Sequence, residues 1–310
     1  MFALVSLLLI FVALLLTVWA LRPSRATPEE LRSFQIHTQI PSLFKTYQGI
    51  EIHYHQIGQG PDLVLIHGIG ASTFIWRKLI PLLTLHFRIT ALDMPGFGRS
   101  QKPKDFDYDL DSMSEFIAGF LTSVNVSEFV LIGSSMGGLL SLWIAKKFPK
   151  RCHQVLTIAP SADPSLVRYS KRTLQWMLPL HWLINNLTMS VAVKNVIRDQ
   201  SQVDAQLIAG YLLPFRDQGD AWRCFLKATK IIGDPRVPRE LKELDLRSEF
   251  RHRNLWGDKD RVVPLWTQLE LKKVLSRSDF DILPQLGHHP FEEDPAKIAL
   301  LIREFLSNLK

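Results

Sequence analysis

Phe129-Val130-Leu131-Ile132-Gly133-Ser134-Ser135-Met136-Gly137-Gly138-Leu139-Leu140 places a G-x-S-x-G pattern between two apolar runs. The first run stops abruptly at Gly133, and the second, Leu139 to Ile144, starts directly after Gly138. A buried strand, a sharp turn and a helix satisfy that pattern, with Ser135 at the apex of the turn. The glycines have a steric task, because such a turn presses its backbone and the following helix against the strand. The helix that follows aims N–H groups and a partial positive charge at the place where the Ser135 hydroxyl points.

Working outward, the neighbouring segments alternate. Leu63-Val64-Leu65-Ile66 is a continuous apolar run, as a strand covered on both faces requires, and it ends in His67-Gly68-Ile69-Gly70. A helix is predicted over Ile75 to His86, then a strand over Phe87 to Leu92 ending in the glycine-rich loop Asp93 to Ser100. A helix over about Met113 to Val124 leads to the Ser135 strand, and Val155 to Ala159 reads as a further buried strand. Ahead of these, Phe34 to Ile40 and Ile50 to Ile57 alternate apolar and polar residues, which predicts a half-buried hairpin. After residue 238 the pattern resumes with strands at Phe250 to Trp256 and Phe280 to Leu283 and helices at Trp266 to Leu275 and Pro295 to Leu309. Strand and helix in alternation predict an α/β fold, a mostly parallel central sheet flanked by helices. In such sheets the site lies beyond the carboxyl ends of the strands. His67 to Gly70, Asp93 to Ser100 and Ser135 all stand there.

Between residues 161 and 238 the alternation stops and the pattern is helical. These residues are expected to form a cap over a core of residues 34–160 and 239–310. The stretch Leu174 to Met189 is rich in large apolar side chains, among them Trp176 and Trp182. It either packs the cap onto the core or forms a lid that lines an acyl pocket or dips into a membrane, and Trp176 and Trp182 are taken as the candidate pocket residues.

The chain has 310 residues, a net charge of +7 and a pI near 9.4. No lysine- and arginine-rich run accompanies the charge, so no nucleic-acid partner is expected; an anionic membrane surface suits it better. The two cysteines, Cys152 and Cys224, have no Cys/His spacing around them, so neither a metal nor a redox motif is expected. Residues 1–21 carry no charged side chain and are long enough to cross a bilayer as a helix, with Trp19 at one end. They predict a transmembrane anchor followed by a linker over residues 22–33. Arg22 and Arg25 follow the apolar segment and place the downstream domain on the cytoplasmic side. A cleaved signal peptide is the competing reading, but its basic residues would precede the apolar core.

A serine hydroxyl is a poor nucleophile without a general base, and the base needs an orienting carboxylate. On this kind of fold the partners follow in the order Ser, acid, His. Asp258 and Asp260 both lie at the end of the Phe250 to Trp256 strand. Asp260 is favoured, since Val262-Val263-Pro264 would bury it and Asp258 belongs to the turn. His288 and His289 follow the last strand; His288, introduced by Gly287, is favoured as the base. Oxyanion donors are expected from the N–H groups of Met136 and Ile69. Gly68 and Gly70 bring that backbone to the substrate, and His67 is placed beside them to hold the loop.

Together, His67-Gly68-Ile69-Gly70, Asp93-x-Pro95-Gly96-x-Gly98-x-Ser100, Gly133-Ser134-Ser135-Met136-Gly137-Gly138, Asp260 and Gly287-His288-x-Pro290-x-x-Glu293-x-Pro295 resemble the α/β-hydrolase superfamily from about residue 45 onward. The resemblance implies the α/β-hydrolase fold with a helical cap, a Ser135–Asp260–His288 triad and no cofactor. Members that cleave haloalkanes or epoxides carry aspartate at the position of Ser135. Ser-Met-Gly-Gly behind an apolar anchor looks like the membrane-anchored esterases and monoacylglycerol lipases, whose substrates are acyl esters. Carbon–carbon bond hydrolases of the same superfamily share Ser-Met-Gly-Gly, and non-catalytic ligand-binding members also exist.

Overall fold

The computed structural model describes residues 40–152, 154–167, 186–216 and 220–307. The predicted anchor and linker, most of the Phe34 to Ile40 segment, and Trp176 and Trp182 lie outside the described residues. Among the described residues no helix is long and apolar enough to cross a membrane.

Eight strands form one sheet: β1 Leu43–Tyr47, β2 Ile50–Ile57, β3 Asp62–Ile66, β4 Arg88–Leu92, β5 Val130–Ser134, β6 Gln154–Ile158, β7 Arg251–Gly257 and β8 Asp279–Leu283, in the order β1-β2-β4-β3-β5-β6-β7-β8. β2 runs antiparallel to β1 and β4; every pair from β4 to β8 is parallel. The longer helices are α1 Leu110–Ser123, α2 Met136–Lys147, α3 Asn186–Val196, α4 Ala205–Arg216, α5 Ala221–Ile232, α6 Val237–Asp245, α7 Trp266–Val274 and α8 Pro295–Leu306. β3 explains the layering. Val64 and Ile66 pack with β5, α1, α2, α6 and α7 residues such as Leu131, Phe120, Leu139, Leu241 and Leu271. Leu63 and Leu65 point the other way, toward Trp76, Phe291, Ile298 and Ile302. Both faces are covered by helix, so the central strands read as unbroken apolar runs.

Two expectations are corrected. The hairpin partner of β2 is Leu43–Tyr47, not Phe34 to Ile40. The turn joining them puts Gln48 and Gly49 at φ 49° and 76°, the left-handed pair that a two-residue hairpin needs. β1 is an edge strand with a mostly exposed middle, so its side chains carry little burial pattern to read. The helix expected over Ile75 to His86 is two short turns, Thr73–Trp76 and Ile80–Leu83. Pro81 has no N–H to continue a ladder from the first turn, but it suits the start of the second.

Strand order positions the site. From β3 the chain steps to β4 on one side and then returns to place β5 on the other. Connections that leave in opposite directions open a crevice beyond the carboxyl ends of β3 and β5, where His67 to Gly70 and Ser135 sit. Cys152 and Cys224 are both free and buried. Burial pushes the Cys152 thiol up to about 12, so it stays a packed, uncharged side chain.

Several histidines are folded in their neutral form. Burial pushes His252 down to about 3, and burial followed by the charge of His53 pushes His55 down to about 4. His67 and His289 are lowered as well, by burial first. An unfolded chain protonates these rings below pH 6.5, whereas the native state resists until much lower pH. The contribution of His252 and His55 is therefore complete above pH 6.5 and is lost as pH falls from there toward about 3 and about 4 respectively. Each such histidine is expected to remove about 1.4 kcal/mol of stability per pH unit in that window. Urea unfolding between pH 7 and 5 checks this, and His252→Gln is expected to flatten the slope by about one proton.

Candidate active site

Ser135 stands at φ 55°, ψ −122°, between β5 and the first residue of α2. That conformation is costly for any residue with a side chain, by about 1–3 kcal/mol, and is kept where neighbours impose it. The neighbours are evident. Ser135 N–H donates to the Ile158 carbonyl (2.9 Å), and the Ser135 carbonyl accepts from Gly138 (2.9 Å), Leu139 (3.2 Å) and Ser161 (3.1 Å). A methyl group on Gly137 would run into the carbonyls of Ile66 and His67, and one on Gly133 into the carbonyl of Gly137. The glycines thus let α2 press against the end of β3, as the pattern required.

The loop after β3 crosses directly over the serine. A Cβ on Gly68 would sit 3.0 Å from Ser135 Cβ. His67 fastens this loop: its Nδ1–H donates to the Gly68 carbonyl (2.7 Å) and its Nε2 accepts from the Met94 N–H (3.1 Å). The ring is fully buried and burial lowers its pKa. His67 therefore belongs to the support of the site, and it offers no ring nitrogen to a substrate. Asp93, at the end of β4, fastens the next loop by accepting from the N–H groups of Thr73 (2.6 Å) and Arg99 (2.7 Å) and from His53 Nδ1 (2.8 Å). Burial works to raise its pKa, but the His53 imidazole and the Arg99 N–H outweigh it and hold the carboxyl well below the usual range. The Met136 N–H opens α2 and lies outside its hydrogen-bond ladder. The Ile69 N–H, in the loop passing over Ser135, also faces no backbone acceptor among the described residues.

Of the two candidate acids, Asp260 meets a histidine. Its Oδ2 accepts from His288 Nδ1 at 2.7 Å, and its Oδ1 accepts from the Val262 and Val263 N–H groups at 2.8 and 2.9 Å. The Asp260 side chain is completely buried. Asp258 instead braces the loop after β8, accepting from the Gln285 N–H (2.6 Å), and pairs with Lys259 (3.1 Å). Because an ionised carboxylate only accepts, His288 carries its proton on Nδ1 and Nε2 is left as the basic nitrogen.

His289 points elsewhere. Its Nδ1 meets the Tyr211 hydroxyl at 2.6 Å, and its ring stacks on Tyr211. The loop carrying the two histidines is clamped from the far side. The N–H groups of His288 (2.9 Å) and His289 (3.3 Å) donate to the Val196 carbonyl at the end of α3. Glu293 accepts from the N–H groups of Gly287 (2.7 Å), Arg198 (3.0 Å) and Asp199 (2.9 Å). One carboxylate thus ties the chain after α3 to the His288 loop. Glu293 was legible in the sequence only as a motif position.

Two features had no signal of their own. Aromatic rings from α4 and α5 lie over the His67–Gly70 loop: a Cβ on Gly70 (φ 71°) would be 3.0 Å from the Phe225 ring and 3.4 Å from Phe215. Trp222 stacks on Phe225 with ring centres 5.2 Å apart. Aromatic residues three apart on a helix read as ordinary core, so sequence gave no reason to prefer them to Trp176 or Trp182. The second feature is Ser161, whose Oγ lies 3.0 Å from Ser135 Oγ. No hydrogen bond joins Ser135 to His288 among the described residues; such bonds commonly tighten only when substrate enters.

The geometry agrees with what the chain is similar to. The family profile described as alpha/beta hydrolase fold matches residues 61–183. The chain is 32% identical to the uncharacterized hydrolase YugF of Bacillus subtilis, over 84% of this chain and 96% of that protein. It is 29% identical to a 2-hydroxy-6-oxo-2,4-heptadienoate hydrolase of Pseudomonas putida, over 84% and 94% of the two chains. A pimeloyl-[acyl-carrier protein] methyl ester esterase of Nitrosomonas europaea is 27% identical over 80% and 96%. Among solved structures, a membrane phospholipase A described as a bacterial virulence factor superposes with a TM-score of 0.72 at 24% identity, covering 99% of this chain and 98% of that one. At that identity the likeness is one of fold.

Proposed function

The chain belongs to the alpha/beta hydrolase family, and from that premise we propose that it is a serine hydrolase of acyl esters held at a membrane by residues 1–21. The observation that carries the reading is Ser135 on its strained turn after β5 together with the buried Asp260–His288 pair from the loops after β7 and β8, all at the carboxyl edge of the parallel strands. His288 Nε2 takes the Ser135 proton as Oγ attacks the ester carbonyl. The Met136 and Ile69 N–H groups receive the oxyanion. The alcohol leaves with the proton from His288, and water, activated by the same nitrogen, releases the acid. Phe215, Trp222 and Phe225 give the acyl group an apolar wall beside the oxyanion loop. The apolar segment at residues 1–21 and the net charge of +7 support a place at an anionic membrane surface.

Carbon–carbon bond hydrolysis is the second reading, favoured by the Pseudomonas putida relative. The two are separated by assaying the full chain in detergent against monoacylglycerols, short nitrophenyl esters and a vinylogous 1,5-diketone acid. Ester turnover is expected to exceed diketone cleavage in kcat/KM by roughly 100-fold or more; the opposite ranking overturns the ester reading. In the same preparations, deletion of residues 1–33 is expected to shift the protein out of the membrane fraction while ester turnover persists.

A further inference from the structure

Ser161 lies in no motif, yet it is the residue closest in chemistry to the nucleophile. β6 ends at Ile158, and Ala159 takes φ 45°, which swings the chain back over the Ser135 turn. Pro160 then packs against α2: a Cβ on Gly138 would be 2.9 Å from the Pro160 ring. Ser161 is held to Ser135 at two points. Its N–H donates to the Ser135 carbonyl at 3.1 Å, and its Oγ sits 3.0 Å from Ser135 Oγ. Both side chains are buried, Ser161 at 3% and Ser135 at 5% exposure.

A hydroxyl carries one proton. Among the described residues the Ser161 hydroxyl has a single hydrogen-bond partner, Ser135 Oγ. If Ser135 donated instead, its one proton would be engaged by Ser161 and could not pass to His288. Donation by Ser161 leaves the Ser135 proton free to turn to His288 when substrate enters.

We propose that Ser161 is a catalytic residue whose hydroxyl donates to Ser135 Oγ through both halves of the reaction; the inference rests on the serine-hydrolase reading above. In acylation the Oγ–acyl bond forms and the Ser135 proton passes to His288 Nε2, then to the departing alkoxide. In deacylation the water oxygen bonds to the acyl carbon and gives a proton to His288, and that proton returns to Ser135 Oγ as the acyl–Oγ bond breaks. Ser161 keeps its own proton throughout. Its hydrogen bond is strongest when Oγ carries developing negative charge, as attacking group and again as leaving group.

The test uses the full chain and a short nitrophenyl ester in stopped flow, which separates the acylation burst from steady-state turnover. Ser161→Ala is expected to slow both phases by roughly 10- to 100-fold while KM changes by less than about threefold. Ser161→Thr, which restores a hydroxyl, is expected to recover most of both rates. If Ser161→Ala does not fold, as read by its thermal transition, Ser161→Cys, with a much weaker donor, carries the same expectation. Both phases within about twofold of wild type in a folded variant overturn the proposal. Labelling of wild-type Ser135 by a fluorophosphonate probe keeps the two readings apart. Labelled wild type with unaffected Ser161 variants removes only the role of Ser161, whereas unlabelled wild type removes the serine-hydrolase reading with it.

Discussion

Ser135→Ala is expected to lower kcat for ester hydrolysis by roughly 10⁵-fold and to abolish fluorophosphonate labelling, while the protein stays folded. The attacking oxygen is removed, and no neighbouring group replaces it. Ser161 Oγ is 3.0 Å away from the lost hydroxyl, but its backbone is held by the Ser135 carbonyl and no base adjoins it among the described residues. The turn itself survives, because alanine at φ 55° is no more strained than serine there. The loss of one buried hydrogen bond, to Ser161, should cost only about 1 kcal/mol. Turnover of a nitrophenyl ester and a thermal melt decide the matter together. A folded variant with near-wild-type turnover would falsify the assignment of the nucleophile.

The second large effect is expected at Asp260. Asp260→Asn keeps an oxygen for the Val262 and Val263 N–H groups, which bond Oδ1 at 2.8 and 2.9 Å, so its amide NH₂ turns toward His288 Nδ1. That group donates. His288 must then accept at Nδ1 and carry its proton on Nε2, where it can no longer take one from Ser135. The wrong tautomer in an unchanged geometry is expected to reduce kcat by about 10³- to 10⁴-fold, with KM little altered. Asp258→Asn is the control. Asp258 lies two residues earlier in the same loop, but it bonds the Gln285 N–H and Lys259, so turnover should stay within about threefold. If the two variants were equally impaired, the loop and not the carboxylate–imidazole contact would be the important feature.

Both predictions concern residues that the chain announces, but it announces them unequally. Ser135 follows from local pattern alone: a strand that stops, glycines where a Cβ would strike a carbonyl, and a helix that starts. The clashes at Gly133 and Gly137 are the physical content of that pattern. Asp260 is preferred to Asp258 for the apolar segment that follows it; in the structure that segment holds Asp260 through the Val262 and Val263 N–H groups while the Val262 side chain stays exposed, and the Trp256 indole N–H fixes it by donating to the Val263 carbonyl (3.1 Å). The adjacent histidines are a harder case. Gly287 marks the loop, but His289 is withdrawn by Tyr211, a residue on a helix far away in the chain.

The first hairpin shows the converse. An edge strand with an exposed middle leaves little alternation to read, and the Gln48–Gly49 turn was the stronger sign. The α/β order, the strands buried on both faces, the serine turn and the choice of Asp260 and His288 as partners that meet were legible in sequence, because periodicity and steric demand act over a few residues. The contacts of Ser161, the Glu293 clamp and the aromatic wall of Phe215, Trp222 and Phe225 were decided by tertiary structure. Each depends on where separate elements come to rest against one another, and no local pattern encodes the distance between a loop after β6 and the hydroxyl at the end of β5.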